Sequence, residues 1–234
     1  MQVTTPAALL AMALSMARRY SSGLIFASTY DRAAAMWERS ATLDPAFPTV
    51  WRNLSLAAYN KQGDAAKARE CLERADALDP TDARVLLELD QLYHKLGMPV
   101  AERFAFLDSH KETVFVRDDL TVEYCTLLND MGRYEDALAI ILNRKFHPWE
   151  GGEGKVTTQY AVALTQLARK ALESGDAQKA KALLERALTF PHNLGEGKPA
   201  LTRRWRSTAR TRASSCTRSC SDSPPVGGGN YLFF

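Results

Sequence analysis

Histidine and cysteine are scarce in this chain and fall at no spacing that holds a metal. The histidines stand at 94, 110, 147 and 192, and the cysteines at 71, 125, 216 and 220. A zinc site needs several such ligands at short, recurring intervals, and Cys216 and Cys220 have no companions. Long apolar runs are missing too: no segment reaches the roughly 18 apolar residues needed to span a bilayer. The stretch from Ala7 to Ala17 is apolar, but no Lys or Arg precedes it and Arg18-Arg19 follow, the reverse of a secretory leader. It reads as a first helix of the fold. Cys71 and Cys125 lie inside helical patterns at positions filled by small core side chains, as isolated thiols do in a reducing compartment. A cytoplasmic protein with no cofactor, no metal and no membrane partner is expected.

Lysine and glutamate disappear after residue 198. Residues 199–234 hold six Arg and one Asp, a net +5, whereas residues 1–198 hold 24 basic and 26 acidic side chains, a net −2. The +3 of the whole chain therefore belongs to its tail. From Arg203-Arg204-Trp205-Arg206 through Cys220 to Pro224-Pro225 and Gly227-Gly228-Gly229, the tail shows neither a helical nor a strand period. Clustered Arg beside Trp has the chemistry to meet nucleic-acid phosphates or acidic membranes. The abrupt loss of Lys and Glu where another helix is due points instead to a displaced reading frame or a spliced end. The tail is expected to be disordered and to bind no nucleic acid.

What fills the rest is a repeat of about 34 residues. Its clearest copy runs through Trp51, Leu54, Tyr59, Gly63, Asp64, Ala68, Leu72, Ala75, Leu78, Asp79 and Pro80. That order of aromatic, small-residue turn, alanines at helix crossings and terminal Asp-Pro is the tetratricopeptide pattern. An upstream copy keeps Ala33, Trp37, Leu43, Asp44 and Pro45, while its first half, through Tyr20, Gly23 and Phe26, is degraded. A third has Leu86, Leu89, Tyr93 and Gly97, with Met98-Pro99 and Glu102 replacing the usual turn and alanine. Leu128, Gly132, Arg133, Tyr134, Ala137 and Ile141 make a fourth, and Leu164, Leu167, Gly175, Asp176, Ala180, Leu184, Ala187 and Phe190 a fifth.

Five helix pairs in a row leave no room for a sheet, so the expected fold is all-α, a tetratricopeptide-type solenoid. Within the fifth copy, Leu164, Leu167, Ala168 and Ala171 share one face, and Ala180, Leu183, Leu184, Ala187 and Leu188 share another. Glycine permits the left-handed residue that ends each first helix, and Asp64 or Asp176 can cap the next. Pro45, Pro80 and Pro191 stop second helices. Leu54, Tyr59, Leu72, Leu89, Tyr93, Leu128, Ala137, Leu167, Ala180 and Leu184 are expected to be buried. Residues 1–29 read as a degenerate N-terminal helix or truncated repeat, 30–198 as the solenoid and 199–234 as the tail. The fifth copy is expected to expose an apolar face, since the tail lacks the periodicity to cover it.

Two loops exceed what a plain repeat requires. One runs from Phe146 to Lys155 and the other from Phe190 to Lys198, and Gly-Glu-Gly-Lys occurs in both, 43 residues apart. Each leaves a second helix and enters a first, so both should emerge on one edge. Candidate binding residues are His147, Trp149, Glu150, Glu153, Lys155, His192, Glu196 and Lys198. Glycine lets a partner backbone approach, Trp149 offers a stacking face, and the carboxylates and amines offer directed hydrogen bonds. The plain alternative is a pair of elongated connectors with solvated charges. A phosphate loop is excluded, because Gly154-Lys155 is followed by Val156 and follows a helix.

The segments Trp37 to Leu54, Asp82 to Leu86, Asp118 to Glu123 and His147 to Lys155 resemble the C-terminal tetratricopeptide region of a bacterial family. The N-terminal part of that family is a domain of unknown function, a β-sandwich resembling galactose mutarotase. The resemblance covers about residues 30–198 and implies a fragment: a sandwich would precede it, the array would continue past Lys198, and the setting would be carbohydrate metabolism. No catalytic residues are implied. The leading expectation is a non-catalytic scaffold that binds a protein partner or its own sandwich domain, with a carbohydrate as a further ligand. The alternative is an accessory region of a sugar-processing enzyme. A receptor for peptide C-termini needs Lys, Arg and Asn along first helices, whereas Arg52 and Asn53 are followed at comparable positions by Glu88 and Glu123. An autonomous enzyme built on Glu150, Glu153 and Glu196 would need buried carboxylates at fixed separation, which glycine-flanked loops do not give.

Overall fold

Gly63, Gly97, Gly132 and Gly175, one in each repeat turn, all take φ between 67 and 82°. A side chain is strained in this left-handed region, so glycine ends the first helix of each pair and turns the chain. The residue after it starts the second helix where it can: the Asp64 carboxylate accepts the Lys67 N–H and that of Asp176 the Lys179 N–H, both at 2.9 Å.

The computed structural model describes residues 5–7, 11 and 26–195. The expected tail, 199–234, and most of the expected segment 1–29 lie outside the described residues. Ten α-helices and no strand are present among the described residues. They fall into two compact units that divide between Val116 and Arg117. The first holds α1 (Phe26–Leu43), α2 (Pro48–Ala57), α3 (Ala65–Leu78), α4 (Ala83–Lys95), α5 (Val100–Ser109) and α6 (Lys111–Val114). The second holds α7 (Asp118–Asp130), α8 (Tyr134–Asn143), α9 (Lys155–Glu173), α10 (Ala177–Ala187) and a 3-10 turn at His192–Leu194.

Small side chains set the helix spacing. In the first unit Ala33, Ala34, Trp37 and Ala41 of α1 pack with Val50, Leu54 and Ala57 of α2. Ala68, Leu72 and Ala75 of α3 pack with Val85, Leu89, Leu92 and Tyr93 of α4. In the second unit Ala168 and Ala171 of α9 meet Ala180 of α10. Cys71 and Cys125 are buried free thiols, and burial pushes Cys71 up and Cys125 up to about 12. Both are held neutral and unreactive.

Two local departures from the pattern have simple causes. The pattern places its tyrosine four residues after the leucine, but Tyr59 comes five after Leu54. The extra residue is absorbed where α2 widens into a π turn, Ala58–Gln62, closed by Asp64 N–H on Ala58 O at 3.0 Å. In the third copy, Met98 lengthens the turn by one residue, so α5 starts at Val100 and buries Arg103 and Leu107 instead of position 102. Arg103 thus stands where the second copy has Ala68. Its guanidinium forks onto fully buried Asp90, Nε to Oδ1 at 2.9 Å and Nη2 to Oδ2 at 2.6 Å, and reaches His94 Nδ1 at 2.9 Å. Burial pushes the Asp90 carboxyl up, against the pull of Arg103.

The expected core is found at Leu54, Leu72, Leu89, Tyr93, Leu128, Ala137 and Ala180. Tyr59 and Leu167 are half-buried. Leu184 is a correction: it is 42% exposed, because no helix among the described residues lies over that side of α10.

Candidate functional site

The two elaborated loops are both in the second unit, and they are bound to each other. Phe146 is buried and its N–H donates to Asn193 O at 2.8 Å. The Asn193 side-chain amide lies 2.8 Å from Ile141 O, 2.8 Å from Arg144 O and 3.4 Å from Leu142 O. These carbonyls close α8, where the last turn has no partners of its own, so the second loop acts as a cap for a helix some 50 residues earlier. Gly195, at φ 73°, packs against the Phe146 backbone: an added Cβ would sit 2.5 Å from Phe146 O.

A second anchor comes from the start of α7. Asp118 takes the Arg144 guanidinium at 2.7 Å, the His147 N–H at 2.9 Å and the His147 ring Nδ1 at 3.2 Å. Burial alone would raise the Asp118 carboxyl. The backbone hydrogen bond from His147, the Arg144 guanidinium and the His147 ring together outweigh it and hold the group below its usual range. A carboxyl depressed by folding adds stability above its unfolded value, about 3.9, and loses it as pH falls through the folded value. The His147 amide should therefore resist hydrogen exchange down to about pH 4 and lose protection in stronger acid. In Asp118→Asn that protection should already be reduced at pH 7.

Of the candidate binding residues, His147, Glu150, Glu153, Lys155 and His192 are exposed. Trp149 is half-buried, and its indole lies over Gly152 so closely that a Cβ there would come within 2.1 Å of a ring carbon. Gly154, at φ 78°, precedes the first residue of α9, Lys155. Glu196 and Lys198 lie outside the described residues. Asp118, Arg144 and Asn193, which hold the edge together, were not among the candidates. An Asp pair opening a helix and an Asn two residues before a glycine are the sequence signals that mark Asp118 and Asn193.

The first helices of the first unit offer no carboxylate clamp. The Arg52 guanidinium is forked onto buried Glu88, Nε to Oε2 at 2.7 Å, and Arg84 Nε reaches the same carboxylate at 3.2 Å. Arg52 is thus matched to an internal anion. Among the described residues no group of His, Cys, Asp and Glu is arranged to hold a metal, and no helix is long and apolar enough to cross a membrane.

No protein-family model matches the chain. Among solved structures it is similar to YrrB, described as a TPR protein with an unusual peptide-binding site. The two share 16% identity over 86% of this chain and 93% of YrrB, with a TM-score of 0.51. The fold is that of the tetratricopeptide repeat. Other tetratricopeptide-like matches include a MamA structure at 12% identity, TM-score 0.49, covering 92% of this chain and 100% of MamA. Cut9, from the APC/C hetero-tetramer Cut9-Hcn1, matches at 14% identity and TM-score 0.45, over 79% of this chain and 33% of Cut9.

Proposed function

We propose that this chain is a non-catalytic helical scaffold that docks a protein, either a separate partner or a β-sandwich domain of its own. The edge formed by the loops of residues 146–155 and 190–198 is the docking surface. One observation carries the reading: two long loops are fixed by Asn193 and Asp118 while His147, Glu150, Glu153, Lys155 and His192 stay exposed along them. A mere connector has no need of such anchoring, whereas a binding edge gains from losing little freedom on contact. The tetratricopeptide fold supports a scaffold, and YrrB carries a peptide-binding site on the same architecture. Glu150 and Glu153 are exposed on a glycine-flanked loop, without the burial that general acid–base work requires, which favours a binding role. We place the protein in the cytoplasm, where Cys71 and Cys125 stay reduced.

The test is association of the full chain with a separately expressed galactose-mutarotase-like β-sandwich domain. Glu153→Ala with Glu196→Ala should weaken binding about tenfold, the scale of one charged contact, and leave helical circular dichroism unchanged. Undiminished binding would reduce both loops to connectors. The accessory sugar-enzyme reading rests on the family resemblance alone, and Trp149, the stacking face a sugar would use, is half-buried with its ring packed against Gly152.

A further inference from the structure

The corner between α5 and α6 carries a histidine whose hydrogen bonds leave one proton unaccounted for. His110 joins the two helices, and its ring Nδ1 lies 3.0 Å from Phe106 O and 3.0 Å from Ser109 Oγ. Ser109 Oγ is in turn 2.7 Å from Phe106 O, to which its one O–H donates. The carbonyl has no proton to give, and that of the serine is already engaged. Nδ1 must therefore carry the N–H in this triangle. The Phe106 ring packs beside the imidazole, centroids 5.0 Å apart, and meets Tyr93 of α4 edge to face at 5.2 Å, which fixes the way the imidazole faces.

The other ring nitrogen is turned toward α3. Nε2 lies 3.7 Å from Asp76 Oδ2, and the side chains of His110 and Asp76 are only 20% and 13% exposed. Among the described residues no N–H or O–H donates to the Asp76 carboxylate, whose Oδ1 is buried without a partner. A neutral imidazole with its hydrogen on Nδ1 would turn a lone pair toward that carboxylate, two acceptors facing each other with little water between. A proton on Nε2 converts the contact to attraction. Burial pushes the Asp76 carboxyl up, against the pull of His110, and Asp79 adds to the push.

We infer that His110 Nε2 and Asp76 hold one proton between them, and that this proton fastens the α5–α6 corner to α3. The device lies in the first unit and does not rest on the docking reading. Its place gives it a consequence, because the chain leaves the first unit through this corner: α6 ends at Val114 and the unit at Val116. The other fastening there, Thr113 Oγ1 on Pro80 O at 3.3 Å, does not titrate. The remaining titratable groups around the pair are Asp79 just past α3, Tyr93 of α4, and Asp108, Lys111 and Glu112 beside His110 in sequence, with Lys111 matched to Asp108 at 3.6 Å. A folded pair that keeps a proton which the unfolded chain releases adds stability that is present at low pH and lost as pH rises. The corner therefore loosens as pH rises.

Two measurements on the full chain test this, each run from about pH 5 to about pH 9, a span that brackets the ordinary imidazole value of about 6.5. NMR of the His110 ring nitrogens should show both protonated at the acid end and Nδ1 alone protonated at the alkaline end. Over the same span the exchange protection factor of the Val114 amide, which donates to His110 O at 3.0 Å, should fall about fivefold, the upper end for one partly exposed ion pair. Asp76→Asn keeps the shape and offers Nε2 an amide N–H in place of the proton, so its Val114 protection should be the same at both ends. A neutral ring protonated on Nε2 overturns the inference, as does protection in the unaltered chain that ignores pH. A fall that persists in Asp76→Asn also overturns it and assigns the effect to Asp108, Lys111 or Glu112. The ring measurement needs no variant, so it decides the matter whatever Asp76→Asn does to folding.

Discussion

Arg103→Met is expected to destabilise the first unit by about 3–5 kcal/mol, the cost of leaving a buried charge without its partner. Asp90 is fully buried and Arg103 nearly so, and two guanidinium hydrogen bonds are what make ionised Asp90 tolerable there. With Arg103 gone, burial, which already pushes the Asp90 carboxyl up, acts unopposed except by His94. The neutral acid is then the cheaper form to bury. The deficit should accordingly be larger at pH 7 than at pH 5, since a carboxyl whose folded value is raised loses stability as pH climbs past its unfolded value. Replacing both residues, Asp90→Leu with Arg103→Met, should recover most of the loss, because no charge remains to be desolvated. Urea unfolding followed by circular dichroism at the two pH values measures all three variants. A loss below about 1 kcal/mol for the single variant, the range of a surface pair, would mean that the pair is not shielded from water.

That pair also shows where the sequence stops being readable. The helix pairs, their glycine turns, the aspartate caps at Asp64 and Asp176 and the alanine stripe all follow from local spacing, and the structure contains them. The third copy has the same architecture, but Met98 adds a residue to the turn, and one residue rotates a helix by about 100°. Position 102 thereby turns outward and Arg103 inward, an exchange that pattern matching at fixed intervals does not register. Leu184 fails for another reason. Its own helix is regular, but burial in a stacked repeat depends on the next unit. The loops were visible as glycine-rich departures, whereas their fastenings join Asp118 to His147 and Asn193 to Ile141, contacts between segments far apart in sequence.

Among the glycines of these loops, Gly195 is expected to be the least replaceable. Gly195→Ala should cost several kcal/mol of local stability, against about 1 kcal/mol for Gly154→Ala. Both residues occupy the left-handed region, φ 73° and φ 78°, so both substitutions carry the same conformational penalty. They differ in surroundings. A Cβ on Gly154 meets nothing within 4 Å, but one on Gly195 falls 2.5 Å from Phe146 O, a backbone atom with no rotamer by which to withdraw. The segment of residues 191–195 must therefore lift, taking Asn193 from the carbonyls of Ile141 and Arg144 and its own carbonyl from the Phe146 N–H. Exchange protection of the Phe146 amide should fall at least tenfold in Gly195→Ala and stay unchanged in Gly154→Ala, while α9 keeps its protection in both. Equal protection in the two variants would show that the loops are not fastened at Gly195. The docking edge would then lose the rigidity that distinguishes it from a pair of connectors.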